Sequence, residues 1–244
     1  MAKPVLLLVH ELLVPPIDIP AEPDRFECDW ITEYDVKCAL EKLGHEVIVC
    51  GIDASIAPLE RAIKEHNPQF VFNLLEQFNN DPKADYQIVA LLEMLGVKYS
   101  GCNPKGLLLA RDKALSKKIL KYHKIPTPNF LTFPKKKRKK IPKSMRYPAI
   151  VKCLSEEASL GIAQASIVHS KDKMQERIQF IHESLDQDAI VEDFIPGQEI
   201  YVGITGEKNL SNLPLWELKF ENAQDPSKEI YSRRAKWNEA YRER

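Results

Sequence analysis

Residues 147–161 read Y-P-A-I-V-K-C-L-S-E-E-A-S-L-G. Ala149-Ile150-Val151 is a short apolar run with the look of a buried strand, and it delivers a lysine, Lys152, at its end. A loop of small and acidic residues follows and closes on Gly161. A cation at a strand end followed by a small-residue turn suits a phosphate group. Ser159 offers a hydroxyl, backbone N–H groups can point inward, and Gly161 permits close approach. A solvated lysine satisfies the same letters, so this stretch decides nothing without a second one.

The second stretch is Ala189–Val202, A-I-V-E-D-F-I-P-G-Q-E-I-Y-V. It reads as strand, Pro-Gly turn, strand, with Glu192 and Glu199 on either side of the turn. An extended linker with open backbone groups suits the edge of an adenine, and a carboxylate beyond it can accept from two ribose hydroxyls.

Working outward, the region between 161 and 189 holds an alternating run, Ala163 to Val168, expected as a strand. An amphipathic helix follows from Lys171 to Ser184 with Met174, Ile178 and Ile181 inward. Ala189 to Ile195 and Ile200 to Thr205 are expected to complete an antiparallel sheet. Upstream, Arg111-Asp112-Lys113 opens a helix running through Ala114 to Tyr122, whose Lys117, Lys118 and Lys121 read as its solvated face. The N-terminal part alternates strand and helix. Pro4 to Val9, Glu46 to Cys50 and Phe70 to Leu74 are strand-like. Val36, Ala39, Leu40 and Leu43 form one helical face behind a capping-box-like Thr32 and Asp35. Leu59 and Ile63 face inward on a helix that stops before Asn67-Pro68. That alternation predicts a parallel sheet with crossover helices.

Together the two glutamate- and lysine-bearing stretches resemble the ATP-grasp superfamily, in its D-alanine–D-alanine ligase-like branch. The resemblance runs from about Val71 to Trp237. Phe72-Asn73-Leu74-Leu75-Glu76 looks like the family's strand-end segment, and Leu95-Gly96-Val97-Lys98-Tyr99-Ser100-Gly101-Cys102 is similar to its L-G-x-x-Y-[TS]-G-[SC] strand. Asn73 and Glu76 are expected either to face the substrate cleft or only to cap neighbouring backbone.

The resemblance implies an α/β parallel-sheet domain over 1–110, then an α+β ATP-grasp domain. The latter has a first subdomain at 111–206 and a second that starts at 207 and is incomplete at 244. It implies ATP and a small carboxylate and amine as partners. Lys113 and Lys152 would hold the phosphates, Ser159 and its loop would cover them, and Glu192 would take the adenine amino group. The backbone of Phe194 and Ile195 would read the adenine edge, Glu199 would hold the ribose, and Lys236 would lie over the nucleotide or substrate. The reaction implied is attack of a carboxylate on the terminal phosphate, then displacement of phosphate by an amine. Family ligands for Mg2+ are expected beyond residue 244, so the chain reads as a fragment that binds ATP weakly and does not turn over. The alternative is a non-catalytic ATP-binding module. The turn after the first strand, His10 to Pro16, lacks the glycine-rich segment of true D-alanine ligases and leaves the substrates open. Ala158 stands where those ligases often have a second serine.

Composition bounds the rest. With 244 residues, 44% hydrophobic content and a formal net charge of +0, nothing global attracts nucleic acid or an acidic membrane. No apolar run is long enough for a membrane span, and a cytoplasmic location is expected. The five cysteines show no C-x-x-C pairing and read as reduced thiols. His10-Glu11-Leu12-Leu13 begins like a zinc-protease helix but has Val14 where the second histidine would stand. Lys135 to Lys140 is a solid basic block, bracketed by Pro134 and Pro142 and without interleaved aromatics, expected as a solvated loop.

Overall fold

The structure, a computed structural model, describes residues 4–19, 28–137, 139–156 and 161–219. Two compact units divide the chain, Met1–Ala110 and Arg111–Arg244.

The first unit is built on three parallel strands, β1 (Val5–His10), β2 (Val47–Ile52) and β3 (Phe70–Asn73), in the order β2-β1-β3. β1 is central and every residue of it is buried, which is why its apolar run is continuous rather than alternating. Leu6 and Leu8 pack with Cys50, Ile52, Leu59, Val71, Ile88 and Leu92. The crossover helices are α1 (Ile31–Lys42), α2 (Ala57–His66) and α3 (Asp85–Met94). α2 stops because Asn67 turns left-handed at φ 44° and returns its N–H to the Ile63 carbonyl. The segment after α3 runs beside β3. Val71 donates to the Lys98 carbonyl at 2.8 Å, and Ser100 donates to the Val71 carbonyl at 3.0 Å. α4 (Pro104–Arg111) follows, its last residue being the first of the second unit.

The expected cap of α1 needs correction. The helix starts at Ile31 behind Trp30, which makes no side-chain capping bond, so Thr32 lies inside the first turn. Leu43, expected on the inner face, is 74% exposed because the helix ends before it.

The second unit opens with α5 (Lys113–Tyr122). A four-stranded antiparallel sheet follows, in the order β4 (Phe130–Phe133), β7 (Ala189–Asp193), β5 (Ala149–Cys153), β6 (Ile167–Val168). Period-two alternation splits its residues between two faces. Leu131, Phe133, Ala149, Val151, Cys153, Ala189 and Val191 form one core with Met174, Ile178 and Ile181 of α6 (Lys171–Ser184). The opposite face carries Phe130, Thr132, Ile150, Lys152, Ile190 and Glu192.

Two expectations for this unit change. Ala163 to Val168 is not one strand. A 3-10 turn at Gln164–Ser166, closed by Ser166 N–H on the Ala163 carbonyl at 2.8 Å, leaves only two residues to pair with β5. Ile200 to Thr205 does not extend the sheet either. β8 (Glu199–Tyr201) pairs with β11 (Trp216–Leu218), and β9 (Ile204–Thr205) with β10 (Ser211–Asn212), each as a separate two-stranded sheet. Gly203 interrupts the run, its position crowded by Leu213. The β8–β11 pairing bridges residues on both sides of 206/207. Among the described residues no helix is long and apolar enough to cross a membrane.

Candidate functional site

β5 and β7 set the geometry. Their register places Ile150 opposite Glu192 and Lys152 opposite Ile190, so Lys152 and Glu192 are diagonal neighbours on one face, within reach of long side chains. Lys152 Nζ donates to Glu192 Oε2 at 3.0 Å. Glu192 is 4% exposed, and a carboxylate so buried costs several kcal/mol unless it is paired. Its other oxygen, Oε1, lies 3.4 Å from Lys117 Nζ. One carboxylate between two ammonium groups leaves a net charge of +1 at this point.

Lys117 departs from the expected solvated helix face, on which Lys118 and Lys121 do lie exposed. It donates to Thr127 Oγ1 at 3.0 Å, and its side chain is 13% exposed, against 26% for Lys152. Lys121 remains exposed while donating to Asn129 Oδ1 at 3.2 Å and lying over the Phe130 ring. Lys113, Lys117 and Lys121 recur every fourth residue, the spacing of one helix face, so a signal was present in the sequence. What hid it is that lysines at that spacing normally mark solvent; here Lys113 finds the Glu156 carbonyl after β5 and Lys117 finds Glu192 on β7.

α5 begins at Lys113 because Asp112 caps it, Oδ1 accepting from Ala114 N and Leu115 N at 2.9 Å each. This places Lys113 against the loop that follows β5. Its backbone N–H reaches the Leu154 carbonyl at 3.4 Å, and its ammonium donates to the Glu156 carbonyl. The far end of the loop is held at Gly161, where φ is +69° and a side chain would run into Leu185. Its carbonyl accepts from the Arg177 guanidinium. Burial pulls Arg177 below the ordinary arginine value and pushes the neighbouring Cys153 thiol up.

The other expected site residues fall as follows. Phe194 N–H is committed to the Pro148 carbonyl at 3.2 Å, so of the backbone groups expected to read an adenine edge this donor is already in use. Ile195 is 64% exposed in the open chain between β7 and β8. Glu199 is exposed at the start of β8, opposite Leu218, and lies in a different sheet from Lys152 and Glu192. Ser159 and Lys236 lie outside the described residues. In the first unit, Asn73 Oδ1 accepts from Leu75 N at 3.1 Å, and Asn73 N donates to Ser100 Oγ at 2.9 Å, the local capping arrangement. Among the described residues no three His, Cys, Asp or Glu side chains converge to hold a metal ion.

The family model described as D-ala D-ala ligase C-terminus matches residues 118–242, about half of the chain. An uncharacterized protein, y4sG, of Sinorhizobium fredii NGR234 is 32% identical over 78% of this chain and 56% of its own length. A D-alanine–D-alanine ligase of Carboxydothermus hydrogenoformans is 32% identical over 74% of this chain and 57% of its own. The chain thus spans little more than half the length of these relatives. In fold it is similar to the D-alanine–D-alanine ligase of Bacillus anthracis solved with ATP. That likeness has a TM-score of 0.67 at 22% identity and covers 91% of this chain and 68% of that one.

Proposed function

The chain belongs to the D-alanine–D-alanine ligase family of ATP-grasp proteins, and from that premise we propose that it carries the ATP-binding part of a carboxylate–amine ligase. The observation that supports this most is the part-buried Lys117–Glu192–Lys152 cluster, a net cation on a sheet face with Lys152 as its more exposed member. At an effective dielectric near 20, a cation about 4 Å from a phosphate charge contributes roughly 4 kcal/mol before desolvation. Phosphoryl transfer asks the protein chiefly for positioning and charge neutralisation, which such a cluster supplies.

In this reading Lys152 contacts the phosphates, while Lys113 orders the loop after β5 through Leu154 and Glu156. Glu192 retains a second lone pair on each oxygen for the adenine amino group, and Glu199 takes the ribose. A substrate carboxylate oxygen attacks the terminal phosphorus and ADP leaves. An amine then attacks the resulting acylphosphate, forming the C–N bond and releasing inorganic phosphate.

The test is calorimetric titration of ATP into the wild type, Lys152→Ala and Lys113→Ala. Each substitution is expected to lower affinity at least about tenfold. Unchanged binding in both removes the assignment. ADP release stimulated by an amino acid would identify a working ligase.

A further inference from the structure

The resemblance assigns Lys117 no role, yet it is the more buried of the two cations on Glu192. Its ammonium is fixed by two acceptors on different elements, Thr127 Oγ1 at 3.0 Å and Glu192 Oε1 at 3.4 Å. The side chain is 13% exposed, so it reaches a ligand only through its neighbours. Glu192 is oriented by the pair: one oxygen is turned to Lys117 and the other to Lys152. Removing Lys117 leaves Oε1 without its cation, and rotation of the carboxylate then brings both oxygens onto Lys152. A lysine held by both oxygens of a buried carboxylate is withdrawn from any incoming anion.

We propose that Lys117 is a positioning residue: by holding Glu192 Oε1 it keeps the carboxylate from capturing Lys152, which stays available to an anionic ligand. This rests on the reading of Lys152 as a phosphate-binding cation. A plain charge effect would make the loss of Lys117 equally harmful whether or not residue 192 carries a charge. Positioning through Glu192 makes the loss harmful only when the glutamate is present.

A double-mutant cycle on the 244-residue chain separates the two. Inorganic tripolyphosphate and ATP are titrated into wild type, Lys117→Met, Lys117→Gln, Lys117→Arg, Glu192→Gln and the Lys117→Met/Glu192→Gln pair. Lys117→Met is expected to weaken tripolyphosphate and ATP about tenfold, and Lys117→Arg to restore both. On the Glu192→Gln background the same change is expected to cost about twofold or less. Lys117→Gln keeps a hydrogen bond to Thr127 without the charge and replaces the methionine variant should that one fail to fold. Equal losses on both backgrounds, or no loss at all, overturn the proposal. Binding that responds to Lys152→Ala but not to Lys117 substitutions sinks this inference alone. A wild type that binds neither tripolyphosphate nor ATP sinks the parent reading with it.

Discussion

Glu33 shows what one buried charge does to the first unit. It sits in the first turn of α1 at 5% exposure, and its Oε2 has no hydrogen-bond partner among the described residues. Burial, with a smaller push from Glu76, raises its carboxyl above the ordinary 4.5. A carboxyl raised in the folded state holds its proton more tightly there than in the unfolded chain. Its stabilising contribution is complete below pH 4.5 and is lost as pH rises through the folded value. Glu33→Gln cannot titrate, so thermal unfolding is expected to show it more stable than wild type at pH 7. The gap should close as pH falls from 7 toward about 4.5. A constant gap across that range would mean that Glu33 is not the titrating group. The contrast with Glu192 is instructive. It is as deeply buried, but two lysines answer it.

Among the elements, α5 and α6 depend on different physics. α5 packs few apolar residues, with Ala114 its buried one, and relies on the Asp112 cap. Asp112→Ala is expected to cost about 1 kcal/mol in urea unfolding, and to weaken ATP binding because it frees the turn that sets Lys113. α6 instead buries Met174 and Ile181 completely against β5 and β7. Met174→Ala is expected to cost about 2–5 kcal/mol, whereas Leu43→Ala, just past the end of α1, should stay within about 0.5 kcal/mol. Similar losses at the two positions would contradict the burial pattern.

For the whole molecule the charge distribution matters more than its sum of +0. The basic stretch from Lys135 is partly tied back to the protein. Lys135 pairs with Asp186, its backbone N–H is taken by Asp188 at 2.7 Å, and Lys139 donates to the Thr132 carbonyl at 2.8 Å while lying over the Phe133 ring. A polyanion would have to compete with these contacts. No mobility shift of duplex DNA or RNA is expected at about 0.15 M salt. A salt-sensitive shift there would assign the block a partner of its own.

Periodicity and local chemistry were enough for much of this chain. The fully buried run of β1, the Asn67 stop of α2, the Asp112 start of α5 and the inner face of α6 all follow from neighbours along the sequence. The pairing of β8 and β9 was not legible, because strand letters do not name a partner and the choice between sheets is made by residues far apart in the chain. The same holds for the site. Lys152 and Glu192 could be picked out as candidates by motif. That they bond to each other, and that Lys117 reaches across from α5 to share the carboxylate, depends on the β5–β7 register and on what the fold brings within reach of Glu192. A side chain's charge is written in its letter, but whether it meets solvent or a buried partner is decided by what the fold places beside it.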